Sequence, residues 1–85
     1  MKKIKDEIES IFQTCFACPS QWEILLKNGK YVYVRYRWGN LGYGIGENIE
    51  DAIRNYRYGV NIGNEMDGVL SQEKMLEELD NLLFI

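Results

Sequence analysis

The chain has 85 residues, 46% hydrophobic and 13% aromatic, with a formal net charge of −3. That length makes a single small domain over 1–85, and Ile, Leu, Val and Phe at 24 of 85 positions lift it out of the disordered class. No apolar run approaches the roughly 20 residues needed to cross a bilayer, and the absence of histidine removes the commonest general base and metal ligand.

Ile4, Ile8, Ile11, Phe12 and Cys15 recur at helical spacing between charged and polar residues, which predicts an amphipathic first helix over 4–15. Lys5, Asp6, Glu7 and Glu9 interrupt any secretory apolar core after Met1-Lys2-Lys3, so the expected location is cytoplasmic. Pro19 ends that helix. A strand runs from Gln21 through Trp22, Ile24 and Leu26 to Asn28-Gly29, the strongest short hairpin signal, read as a two-residue type I′ turn. Lys30 to Trp38 forms the next strand. Gly39-Asn40 supplies a second two-residue turn into Leu41-Gly42-Tyr43-Gly44-Ile45-Gly46, where large apolar residues alternate with glycine. Asn48 caps a second helix, with Asp51 as a weaker partner in a capping box. Ile49, Ile53 and Tyr56 line its inner face, and Gly59 terminates it. Val60 to Ile62 forms a short extended piece before the turn-rich Gly63–Gly68 segment. Ser71 caps a last helix carrying Met75, Leu76, Leu79, Leu82 and Leu83. The order α-β-β-β-α-α predicts an α+β fold, a three-stranded antiparallel meander with helices packed on one face.

Two-residue turns fix a register. Leu26 would face Tyr31, Ile24 Tyr33 and Trp22 Arg35. On the other side of the middle strand, Arg37 would face Gly42, Arg35 Gly44 and Tyr33 Gly46. Leu25, Val32, Val34, Tyr36, Trp38, Leu41, Tyr43 and Ile45 then share the opposite, apolar face, which is the expected core. The first face is the candidate binding surface, built from Trp22, Tyr31, Tyr33, Arg35, Arg37, Gly42 and Gly44. A row of glycines in a strand implies that something approaches the backbone closely. Either Trp22 and the arginines fold over it, by aromatic rescue and cation–π stacking, or a partner does.

Other motifs carry less. Cys15-Phe16-Ala17-Cys18 has the C-x-x-C spacing, but it follows a helix, whose C-terminal dipole disfavours a thiolate, and no βαβ start precedes it. Two small hydrophobes at a helix end fit a reducing compartment better. Zinc needs four ligands, and the chain has two cysteines. The Gly42, Gly44, Gly46 spacing differs from phosphate-loop fingerprints, and Glu47, Glu50 and Asp51 repel phosphate. Asp67-Gly68 matches the middle of a calcium loop, whose first and twelfth positions would be Gly63 and Lys74, neither a ligand. Ser10, Ser20 and Ser71 have no base to activate them. No cofactor, metal or catalytic residue is expected, and no enzyme.

Charge is uneven along the chain: residues 21–46 carry +3 and residues 47–85 carry −6. This argues against a general nucleic-acid binder and leaves a locally basic middle.

The stretch Cys18-Pro19-Ser20-Gln21-Trp22-Glu23, followed by Tyr31-Val32-Tyr33-Val34-Arg35-Tyr36-Arg37-Trp38-Gly39, resembles the core of short bacterial and phage proteins to which no function is assigned. The resemblance covers about a quarter of the chain and implies no site residue. The α-β-β-β-α order resembles that of the double-stranded-RNA-binding domain. Such domains use a lysine-rich start of the second helix, whereas Asn48-Ile49-Glu50-Asp51 is acidic.

The expected function is a small non-enzymatic protein-interaction module, an accessory or inhibitor protein of a phage or mobile element that binds a host protein. The alternative is single-stranded nucleic-acid binding on the same face, with Trp22 and Tyr33 stacking bases while Lys30, Arg35 and Arg37 contact phosphates. A third strand at the sheet edge, an Ile24–Leu26–Tyr31 patch and the apolar tail Leu82-Leu83-Phe84-Ile85 together predict a homodimer.

Overall fold

The computed structural model describes residues 3–16, 20–63 and 69–83, without the side chains of residues 16 and 58. The order is a 3-10 turn Ile4–Glu7, then β1 (Ile8–Phe16), β2 (Ser20–Leu26), β3 (Tyr31–Arg37), β4 (Asn40–Gly46), α1 (Ile49–Arg54), β5 (Arg57–Asn61) and α2 (Gln72–Leu83). The five strands form one antiparallel sheet in sequence order. The α+β class stands; the three-stranded meander and the single helical layer do not.

The first helix is replaced by one helical turn and a nine-residue edge strand. Between Ile8 and Ser10, and again between Gln13 and Cys15, the β1 register slips by a residue. Each bulge converts a spacing of two into a spacing of three on the same face. Ile8 and Ile11 thus both pair beside core residues of β2, Leu26 and Ile24, although they are three apart. Phe12 and Cys15 fall on the opposite face, so the helical-looking repeat is divided between two surfaces.

The Asn28-Gly29 turn is real but longer than two residues. The Gly29 N–H donates to the Leu26 carbonyl at 2.9 Å and the Leu26 N–H to the Lys30 carbonyl at 2.8 Å. Gly29 alone there has positive φ, +87°. This is a three-residue loop closed by a left-handed glycine. It pairs Leu25 with Tyr31, Glu23 with Tyr33 and Trp22 with Val34. A one-residue change of register reverses every side chain of β2. Trp22, Ile24 and Leu26 therefore enter the core, and Gln21, Glu23 and Leu25 turn outward.

The second turn is Trp38-Gly39, with φ of 53° and 77°, the signs a type I′ turn requires. It sets Arg35 opposite Gly42, Tyr33 opposite Gly44 and Tyr31 opposite Gly46. That is a shift of two from the expected register, so the faces of β3 and β4 hold.

The core lies on one face of the sheet, where Trp22, Ile24, Val32, Val34, Tyr36 and Leu41 meet Ile4 from the 3-10 turn and Met75 and Leu79 from α2. Ser71 caps α2, accepting from the Lys74 N–H at 3.2 Å. Two polar ties fix these segments. The Ile4 N–H donates to Asp80 Oδ1 at 2.6 Å, and the Leu70 N–H donates to buried Ser20 Oγ at 3.2 Å.

Helix α1 packs on the other face, over the glycine row. Asn48 caps it as expected, accepting from the Asp51 N–H at 2.9 Å. Six residues are too few for a helix to persist alone, so docking must hold it. Ala52 is its buried residue. Ile53, placed on the inner face by spacing, is 48% exposed. The helix stops at Arg54, and Gly59 belongs to β5 rather than to a helix end.

The basis for a dimer is correspondingly reduced. Ile24 and Leu26 are buried, Asn40–Tyr43 of β4 pairs with β5, and Leu82 and Leu83 pack against the core. The rest of the tail, Cys18 of the C-x-x-C motif and the Asp67-Gly68 turn lie outside the described residues. Among the described residues, no helix is long and apolar enough to cross a membrane.

Candidate functional site

The glycines explain where the outer face is closed. A Cβ on Gly44 would lie 2.0 Å from the Ala52 carbonyl, and one on Gly46 would lie 2.4 Å from Asp51 Cβ. A Cβ on Gly42 would meet the Arg57 carbonyl and the Tyr56 hydroxyl, both at 2.5 Å. The close approach inferred from the glycine row is thus intramolecular, and α1 with Tyr56 makes it, rather than Trp22 or the arginines. Gly42 and Gly44 are covered, and neither is open to a partner. Asn55 Nδ2 donates to the Ile45 carbonyl at 2.8 Å and ties the end of α1 to β4.

Beyond α1, the outer face of β1, β2 and β3 can be followed in rows. Ser10, Leu25 and Tyr31 form one, Phe12, Glu23 and Tyr33 the next, and Cys15, Gln21 and Arg35 the third, with Arg37 beyond. Tyr33 is the pivot between open and covered halves. Its ring meets Tyr56 edge-on, with centroids 5.9 Å apart at 68°. Its hydroxyl donates to Gln21 Oε1 at 2.6 Å. Burial raises the Tyr33 pKa above the ordinary 10.0; Arg35 opposes the shift, while Glu23 and Cys15 add to it. At 8% exposure Tyr33 is a structural member of this face rather than a contact residue.

Next to it, Arg35, Arg37, Trp38 and Tyr56 line a cleft of about 250 Å³. The Arg37 guanidinium sits 4.2 Å from the Trp38 ring centroid, within cation–π range. Trp38 is 54% exposed and Phe12 69%.

Of the seven residues expected on the binding surface, Tyr31, Arg35 and Arg37 are there and half-buried, Tyr33 is mostly covered, and the two glycines lie under α1 or Tyr56. Trp22 is displaced to the core at 0% exposure. Sequence reasoning missed Phe12, hidden by the helical reading of β1, and Trp38, assigned to the core by the misplaced turn. The Trp38-Gly39 pair carried a usable signal, since either Gly39-Asn40 or Trp38-Gly39 could supply the two turn residues. Nothing local announces a tryptophan with positive φ.

Among the described residues, no three side chains of metal-ligating type cluster. No family model matches the chain, and no curated protein or solved structure is significantly similar to it.

Proposed function

We propose that the protein is a non-enzymatic interaction module that binds another protein through the outer face of β1–β3 and the adjoining cleft. The observation that supports this most is Trp38. A left-handed conformation is costly for a bulky residue, of order 1 kcal/mol, and asparagine or glycine would occupy the turn at less cost. Placing a tryptophan there, half-exposed and beside a stacked arginine, is poor design for folding alone. It suits an interface, where Trp and Arg dominate binding energy. An accessory or inhibitory role fits a module that acts by occupying a partner.

Single-stranded nucleic-acid binding has less in its favour. Trp22, one of the two stacking residues it requires, is buried, and Tyr33 is nearly so.

The test compares wild type with Trp38→Asn as bait in a bacterial lysate, with Trp38→Asn expected to fold at least as well. A specific protein retained by wild type and lost by Trp38→Asn is the expected result. Identical captures from both baits would overturn the assignment of this face.

A further inference from the structure

We propose that the partner is held by one of its own acidic side chains, an Asp or Glu carboxylate seated in the cleft of Arg35, Arg37, Trp38 and Tyr56; this rests on the protein-binding reading above. Arg35 and Arg37 are two residues apart on β3, so both side chains leave the same face, and both line the cleft. The ion pairs among the described residues form elsewhere: Lys30 with Glu47, Arg54 with Asp51 and Lys74 with Glu78. Two guanidinium groups thus share a cleft without a carboxylate from the described residues, in a chain with 13 acidic and 10 basic side chains.

The stack of Arg37 on Trp38 at 4.2 Å orients one of them. Stacking uses the face of the guanidinium and leaves its in-plane N–H donors free for a bidentate acceptor. The size of the cleft, about 250 Å³, falls below the 300–1,000 Å³ common for small-molecule sites. It suits one side chain better than a cofactor.

Surrounding charge selects a lone carboxylate over a polyanion. Glu23 lies on the same sheet face, opposite Tyr33 and one row from Arg35, whereas Glu47 and Asp51, at the far end of the face, are already paired with Lys30 and Arg54. A phosphate backbone running from the cleft along β3 would meet the Glu23 carboxylate, whereas a single acidic side chain seated in the cleft would not.

The test is an NMR titration of the full chain, following the Arg35 and Arg37 Nε–H and Trp38 indole N–H signals. The probes are acetyl-Leu-Glu-Leu-amide, its Gln counterpart, inorganic phosphate and oligothymidylate. The Glu peptide is expected to move all three signals saturably in the millimolar range, with the Gln peptide weaker by about tenfold or more. The double variant Arg35→Lys/Arg37→Lys keeps the charge and loses the planar donors, and should weaken the Glu peptide by about tenfold. Equal responses to the Glu and Gln peptides, stronger responses to phosphate or oligothymidylate, or undiminished binding by the Lys variant would each overturn the carboxylate site. A silent Glu peptide, with partner capture still lost in Trp38→Asn, would remove this inference and leave the interaction module standing. A Glu-peptide response without any partner captured would show a carboxylate site in the cleft and overturn its assignment to a protein partner.

Discussion

Gly44→Ala separates two accounts of the glycine row by sign. If the glycines merely weakened β4, alanine would raise its stability by about 0.5–1 kcal/mol through the unfolded state. The structure requires the opposite. The new Cβ would sit 2.0 Å from the Ala52 carbonyl, 2.7 Å from the Tyr56 nitrogen and 2.9 Å from the Asn55 carbonyl carbon, all of them backbone. Rotamer changes cannot relieve that, so α1 must retreat until the first contact reaches about 3.4 Å, an ordinary van der Waals separation. The retreat lengthens the Asn55–Ile45 hydrogen bond, opens the Tyr33–Tyr56 ring contact and uncovers Ala52. These are worth roughly 1, 0.5–1.5 and 1 kcal/mol, so a loss of about 2–4 kcal/mol is expected. A domain of this size has about 4–13 kcal/mol in total, and the variant should still fold. Urea unfolding followed by tryptophan fluorescence should show the midpoint lowered by about 2 M or more, for a slope near 1 kcal/mol/M. Gly29→Ala is the control: φ is +87° with open space around the site, and only the conformational cost of about 1 kcal/mol applies. A Gly44→Ala midpoint at or above wild type would refute the packing argument.

Four further outcomes follow from the same contacts. Trp38→Asn relieves the left-handed turn and gives up a stack worth about 0.5–1 kcal/mol, so its stability should be unchanged or higher by up to about 1 kcal/mol in the same urea assay. Trp22 is fully buried with its indole N–H unpaired among the described residues. Trp22→Ala should therefore cost about 3–5 kcal/mol, while Trp22→Phe, which removes the orphan donor with the lost volume, should cost about half of that or less. Asp80→Asn weakens the charge-assisted bond from the Ile4 N–H and should lower stability by about 1–2 kcal/mol, read by thermal melting. Tyr33 is an acid whose folded pKa is raised, so the unfolded chain loses its proton first on alkalinisation. Stability is then complete below pH 10 and falls as pH rises from there through the folded value; Tyr33→Phe should flatten that fall in urea midpoints taken at increasing pH.

The middle of the chain was legible and its first quarter was not. Strand β3, the faces of β3 and β4, and the caps Asn48 and Ser71 follow from alternation and from side-chain acceptors at helix starts, which are local properties. Strand β1 is not local in that sense. Its two bulges place Ile8 and Ile11 on one face and Phe12 and Cys15 on the other, and the combined spacing reads as a helix unless the bulges are known. Strand β5 is legible only in part, for a related reason: the chain from Val60 reads as an extended piece, while residues 57–59 read as the end of a helix. Its five residues include Gly59, where a Cβ would meet Leu82 of α2 at 2.6 Å, so its form is set by packing rather than propensity.

The candidate site turned on one residue of loop length. Asn28-Gly29 fits a two-residue turn and a three-residue loop equally well by composition, since both place glycine at positive φ. The choice between them is tertiary. The shorter turn would leave Trp22, Ile24 and Leu26 on the face that α1 covers only in part; the longer one sends them beneath α2, where Met75 and Leu79 complete their burial. Burying a Trp, an Ile and a Leu outweighs by several kcal/mol any difference between the two turns. The same reversal turns Gln21 outward to accept the Tyr33 hydroxyl. It leaves Tyr31, Arg35, Arg37, Trp38 and Phe12 as aromatic and cationic features of the open surface, so the core's demand for Trp22 is what decides which residues remain for a partner.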